Sequence, residues 1–458
     1  MPDLERRIAD FLRDRGVELV GFAGPERLDG PPSLNPRYTM RRARSCVSMA
    51  LPMNVEAIYD FLGKKTPVPH NLDQLKQAQR LYRISRELAE FLNGEGHRAR
   101  EVPINNSYRR KIDVFTPDPS FSHRLGAIAA GIAGQGLSGN VVTERYGAAV
   151  YLSTVVTSAK LESSPALPAD HVMKNHCDPC RVCAKTCASR MFTDEDEEYV
   201  LVNGQLHPRG RRRNLDLCNA TCFGLHSISH DHLWSTWGRF WIKRWLDGEQ
   251  DPTDKKKIRR EQLWRGATTG DATARYDFIR RMFNIQWPRE DIEDQVPDVE
   301  ELPDDPVELE RMLWDFQRKM GIDGVLGDPN TLTCGQCALV CGHDLDERRK
   351  RYQILLDGGI VVPGSDGRMV PVKDFDEALA YKQEFKPPVT KEQMIADSKA
   401  SAQLWKKLYF GFEPLSWLQG RLYEIRRRRA MRAAQRRGSD HELAEATPAR
   451  PGSSEPVS

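Results

Sequence analysis

The amino-acid sequence predicts an α+β protein. A mixed α/β core at 1–165 precedes a cysteine-rich module at 166–223 and 325–350, which a helical, tryptophan-rich insertion at 224–324 splits. Three observations predict this. Helical and extended patterns alternate up to about residue 165. Nine of the ten cysteines lie between Cys177 and Cys341. Trp234, Trp237, Trp241 and Trp245 recur on one helical face between the two cysteine groups, the pattern of a core-facing stripe. A C-terminal extension (351–404), a basic amphipathic segment (405–437) and a tail expected to be disordered (438–458) complete the chain.

In the core, residues 4–14 place Leu4, Ile8, Phe11 and Leu12 on one face of a helix, and residues 17–23 and 46–52 read as strands. Residues 72–94 form a long helix with Leu75, Leu81, Ile84, Leu88 and Leu92, and 99–103 a further strand. A Gly/Ala-rich helix at 123–132 and a strand at 148–156 end the core. Residues 134–139 between them spell GxGxxG. A dinucleotide site needs a strand before those glycines, and a helix stands there, so they read instead as a tight turn that lets backbone approach a bulky ligand.

The cysteines carry the chemistry. The first group reads Cys177-x2-Cys180-x2-Cys183-x3-Cys187 and the second Cys334-x2-Cys337-x3-Cys341, with Cys218 and Cys222 between them. No apolar run approaches the ~20 residues that span a bilayer, and the first residues lack a signal-type apolar segment. A cytoplasmic chain is therefore expected, with cysteines that bind metal rather than form disulfides. The first group is the ligand run of two-cluster ferredoxins, whose fourth cysteine crosses to the other cluster. Two [4Fe–4S] clusters need eight thiolates, and the groups supply seven. By the crossover rule Cys177, Cys180, Cys183 and Cys341 hold one cluster. Cys187, Cys334, Cys337 and an eighth ligand hold the other. Cys222 is favoured for the eighth, with Cys218 close behind, and Cys46 is expected to be buried and inert. Zinc is the alternative metal, but a three-step run suits a cubane better than one tetrahedral ion.

Net charge is +3, yet 405–437 holds ten basic residues against Glu413 and Glu424, which leaves −5 on the remainder. Trp405, Leu408, Tyr409, Phe410, Phe412, Leu415, Trp417, Leu418, Leu422, Tyr423 and Ile425 interleave with the basic residues. An anionic membrane surface, at the inner face of the membrane, and a plain solvated basic helix are equal readings, and nucleic acid ranks behind both.

Residues 129–139 (AAGIAGQGLSG) and 143–152 (TERYGAAVYL), followed by the cysteine run, resemble the corrinoid-dependent iron–sulfur reductases, namely reductive dehalogenases and epoxyqueuosine reductases. The likeness covers roughly residues 75–345. It implies a nitroreductase-like α/β core, a two-cluster ferredoxin-like module, and cobalamin held against Gly131, Gly134, Gly136, Gly139 and Tyr146. It also implies a small organic substrate, a soluble or membrane-associated electron donor, and reductive cleavage of a carbon–halogen or epoxide carbon–oxygen bond. A proton donor is expected upstream, with Tyr108 the first candidate and Asp113 and Asp118 behind it. Family members commonly carry Arg or Lys at the position read here as Leu137, and proline where Ala188 and Gly342 follow the cysteines. The rival reading is an electron-transfer protein without corrinoid that serves a membrane-associated partner.

Overall fold

The computed structural model describes residues 3–102, 108–110, 118–187, 191–212, 335–363, 369–373 and 414–445, with residue 377 and short pieces between 297 and 315. In chain order, helix α1 (Asp3–Arg13) leads to strand β1 (Leu19–Ala23), β2 (Ser45–Pro52), α2 (Val55–Leu62) and the long α3 (Val68–Gly94). Strands β3 (Ala99–Glu101), β4 (Tyr108–Arg110) and β5 (Asp118–Pro119) precede α4 (His123–Ala129). The short strands β6 (Gly134–Gln135) and β7 (Val141–Val142) lead to β8 (Val150–Thr157). Next come α5 (Val182–Thr186) and the hairpin β9 (Phe192–Val202) and β10 (Gln205–Arg212). Beyond 335 lie α6 (Gln336–Leu339), α7 (Leu345–Asp357), β11 (Ile360–Pro363), β12 (Met369–Val372) and α8 (Pro414–Glu445).

The centre is a four-stranded sheet in the order β1-β2-β8-β3, antiparallel at every pairing. Seven of the eight residues of β2 are buried because both faces are covered. On one face Phe22, Val47, Met49 and Val155 pack under Ile8 and Leu12 of α1 and Leu81, Ile84, Leu88 and Leu92 of α3. On the other, Ala23, Cys46 and Val156 pack under Ala127, Ile128 and Ala129 of α4. Cys46 is fully buried there, and burial pushes its thiol up to about 12.

Several boundaries differ from those read in the sequence. Helix α4 ends at Ala129 rather than 132, because Gly131 takes φ +75° and the chain folds back, with the Ile132 N–H on the Ala127 carbonyl at 3.1 Å. Inside 166–223, β9 and β10 turn on Asn203 (φ +49°) and Gly204 (φ +72°), an Asn-Gly hairpin signal that went unread. Helix α7 runs through residue 350, the expected end of the cysteine-rich module. Helix α8 continues to Glu445, into the tail expected to be disordered, since 441–445 (HELAE) are good helix formers. Apart from the short pieces between 297 and 315, the tryptophan-rich insertion lies outside the described residues, as do residues 405–413 and the tail beyond 445. Among the described residues, no helix is long and apolar enough to cross a membrane.

Candidate metal centre

The two cysteine groups fold into turns of the same shape. A wide helical turn, Met173–Cys177, opens the first. Arg181, one residue after Cys180, takes φ +52° and starts α5, which carries Cys183; Cys187 caps its end. Gly335, one residue after Cys334, also takes φ +52° and starts α6, which carries Cys337, with Cys341 at the exit. Helices α5 and α6 pack against each other. Cys177, Cys183, Cys187, Cys337 and Cys341 thereby share one apolar cluster with Leu137, Val142, Val172 and Met191. Cys180 and Cys183 also border the neighbouring cluster of Val182, Leu339 and Val340. None of these six cysteines forms a disulfide.

Burial pushes the Cys177 thiol up to about 12 and raises Cys183 and Cys341 as well. Neighbouring thiols add to it. Cys341 and Cys180 act on Cys177, and Cys341, Cys177, Cys337 and Cys180 act on Cys183. Cys177, Cys180, Cys183 and Cys341, from segments more than 150 residues apart, thus lie within electrostatic reach of one another.

N–H groups point at the sulfurs of Cys177, Cys187 and Cys337. The Leu137 amide donates to Cys177 Sγ at 3.4 Å, the Met191 amide to Cys187 Sγ at 3.4 Å, and Asn140 Nδ2 to Cys337 Sγ at 3.2 Å. Two of these donors come from the glycine-rich loop, so the bulky neighbour that loop approaches is the cysteine site. The glycines themselves make room for the chain. A Cβ on Gly131 would strike the Pro165 carbonyl, one on Gly134 the side chain of Val172, one on Gly136 that of Val142, and one on Gly139 the Arg212 guanidinium. Gly131 is in addition the helix terminator described above. All four contacts are with the chain itself. Tyr146 is half-buried, with its amide on Thr143 Oγ1 at 3.1 Å and the Arg145 guanidinium over its ring. Gly147 beside it (φ +63°) lies against the Cys341 and Gly342 carbonyls, and the Ala148 N–H donates to the Cys341 carbonyl at 3.0 Å.

Leu137 is 1% exposed, so a charged side chain there would enter the core. The residue after Gly139, the last glycine of the run, is Asn140.

Sequence reasoning missed two arginines of α7. Buried Arg348 donates to the carbonyls of Gly342 (2.9 Å), His176 (2.6 Å) and His343 (3.0 Å), so one side chain clasps both cysteine segments. Buried Arg351 donates to the Leu339 carbonyl at 3.0 Å and pairs with Glu347 at 2.6 Å. Both lie close enough to lower the Cys341 pKa against the effect of burial. The available signal was the N-cap Asp344, whose side chain accepts from the Glu347 amide at 2.8 Å and starts a helix right after the last cysteine.

Among the described residues, no three His, Cys, Asp or Glu converge as a single metal ion requires. Six buried or half-buried thiols from two segments, with N–H groups directed at three sulfurs, form a donor set whose chemistry fits iron–sulfur clusters. Of the other site residues expected, Tyr108 lies on β4, and Asp113, Cys218, Cys222 and Cys334 lie outside the described residues.

No protein-family model matches the sequence, and no curated protein sequence matches it. The solved structures to which the chain is similar include reductases. More narrowly, these are epoxyqueuosine reductases and reductive dehalogenases, the two groups its sequence resembles. An epoxyqueuosine reductase from Streptococcus thermophilus matches at 14% identity over 88% of this chain and 100% of that one, with a TM-score of 0.37. An epoxyqueuosine reductase solved with a modified tRNA stem loop matches at 14% identity over 88% and 99%, with a TM-score of 0.35. A reductive dehalogenase matches at 12% identity over 64% of this chain and 37% of its own, with a TM-score of 0.34. At these scores the residues of the cysteine site, not the neighbours, carry the function.

Proposed function

We propose that this chain is an iron–sulfur oxidoreductase with two [4Fe–4S] clusters. Cys177, Cys180, Cys183 and Cys341 would hold one, and Cys187, Cys334, Cys337 and Cys222 the other. The observation that carries the proposal is the convergence of the two cysteine turns through α5 and α6. Such clusters supply electrons one at a time. The chain contributes what the clusters need around them. Iron offsets the charge of thiolates that burial otherwise holds protonated, while the N–H groups of Leu137, Met191 and Asn140 stabilise charge on sulfur. The apolar shell of Val142, Val172 and Met191 limits access of water.

The proposal includes the nitroreductase-like core and the two-cluster ferredoxin-like module that the resemblance implies, with reductive cleavage of a small organic substrate as the reaction. Cobalamin is the acceptor implied by the same resemblance, and no step is derived through it because the four glycines pack against the chain itself. That packing favours a second reading, an electron-transfer protein without corrinoid.

Anaerobically purified protein tests both. Eight iron atoms per chain are expected, and zinc without iron would end the cluster reading. After reconstitution with cobalamin, corrinoid bands that stay with the protein through gel filtration select the corrinoid reductase. Full iron with no retained corrinoid selects the electron-transfer protein. Cys222→Ala is expected to lose one cluster, and Cys218→Ala to keep both.

A further inference from the structure

Helix α8 has two unlike sides. One docks on the body. Tyr423 is buried and its hydroxyl accepts from the Leu201 amide at 3.0 Å, Arg427 donates to the Tyr199 carbonyl at 3.2 Å, and Arg426 pairs with Asp29 at 2.7 Å. Tyr423, one of the apolar residues the sequence assigned to a partner surface, thus serves the protein's own core. The other side faces solvent and has a consistent chemistry. Of the seven large apolar side chains exposed among the described residues, four lie on its first turns: Trp417 (45%), Leu418 (50%), Leu422 (52%) and Ile425 (48%). At 100° per residue these share one arc with Arg421, Arg428, Arg429, Arg432 and Arg436, all exposed, and from Trp417 to Arg436 no acidic residue falls in that arc. The Arg421 guanidinium lies over the Trp417 ring. Beside the apolar end, an open cavity of about 800 Å³ separates α8 from the proline-rich turns at 25–37. Arg37, Arg44, Arg426 and Arg429 line it against a single acidic residue, Asp29.

We infer that this side of α8, with the arginine-lined cavity, is a docking surface for an anionic lipid bilayer. The inference is independent of the cluster reading. Charge complementarity names the partner: the arc and the cavity together present a surface short of carboxylates, suited to lipid phosphates. The apolar residues distinguish a bilayer from a nucleic acid. Leu418, Leu422 and Ile425 have no role against a phosphate backbone, whereas they can enter the boundary between headgroups and acyl chains, where a tryptophan is also favoured. The cavity provides space next to Leu422 and Ile425 for a headgroup held by Arg37, Arg44 and Arg429.

Flotation of the full chain with phosphatidylglycerol-containing vesicles, and with pure phosphatidylcholine vesicles, tests it. Binding is expected only to the anionic vesicles and is expected to fall with salt. Replacing Arg428, Arg429, Arg432 and Arg436 together by Gln should weaken binding more than about a hundredfold, at about fivefold for each arginine. Leu418→Asn combined with Leu422→Asn should remove the binding that persists at high salt. All six positions are exposed, and iron content and circular dichroism check that the variants fold. The inference is overturned if the wild-type chain ignores anionic vesicles, or if neither variant changes binding. It is also overturned if a tRNA stem loop binds this face and the arginine variant loses the RNA while keeping the vesicles.

Discussion

The two cysteine turns have the same backbone and different surroundings. Read from Arg181 and from Gly335, they show the same left-handed start and the same order of buried and half-buried residues, except at one position. There Lys185 is exposed and Leu339 is buried, because Leu339 packs against Ile58, Phe61 and Leu355 while Lys185 faces solvent. The second turn is also held from outside. Arg348, Arg351 and the Ala148 amide take up the Gly342, Leu339 and Cys341 carbonyls. The first turn takes one such outside donor, Arg348 on the His176 carbonyl, and bonds the rest within itself, with the amides of Cys180 and Arg181 on the Cys177 carbonyl, each at 3.0 Å. A short cysteine motif can therefore dictate its own backbone, while its burial and stability come from whichever elements press on it.

The largest expected effect is on the second turn. Gly147→Ala would place a Cβ on the Cys341 and Gly342 carbonyls at a left-handed φ, so a loss of about 3–4 kcal/mol is expected by denaturant unfolding. Iron content should drop with it. An unchanged midpoint would mean the second turn does not depend on this contact. Arg348→Met comes next, at about 2–4 kcal/mol, because it leaves buried carbonyls of both segments without their donor. Since this arginine joins the turns, its loss should perturb both clusters in paramagnetic resonance spectra. A change confined to one would show that the turns are supported separately.

Asn140→Ala removes a side-chain donor to the Cys337 sulfur, at a cost of about 1 kcal/mol. It should lower the reduction potential of the cluster bound by Cys337, and spectroscopic redox titration should find the other cluster unmoved. The smallest effects concern the left-handed residues. Gly335→Ala should cost about 1 kcal/mol by thermal unfolding. Arg181→Gly should stay within about 0.5 kcal/mol, since relief of the strained φ is offset by a more flexible unfolded chain and a lost Asp178 contact. A large loss at Arg181 would give that side chain a role its exposed ion pair does not explain.

The helices and strands of the core could be read from residue order because they follow from periodicity. Ile8 and Leu12, and the stripe from Leu81 to Leu92, each mark one helical face, and β8 follows from a short run rich in Val, Tyr and Thr. The cysteine spacing likewise marked the site. The glycine loop was legible as a turn near something bulky but not as part of the cysteine site, since Leu137 and Asn140 meet Cys177 and Cys337 across 40 and 197 positions. Arg348 and Arg351 were invisible for the same reason, because a lone arginine on a polar helix looks solvated until its partners are known.

By itself, then, the sequence determined the local features: which core segments follow a helical or extended pattern, and that two cysteine runs carry ligand spacing. These depend on steric and periodic rules that act within a few residues. Only the tertiary structure decided that the turns meet through α5 and α6, that the glycines serve self-packing, and that α8 hides Tyr423 while showing Leu422 and Ile425. Those outcomes depend on which distant surfaces compete to exclude water, and no local rule encodes that choice.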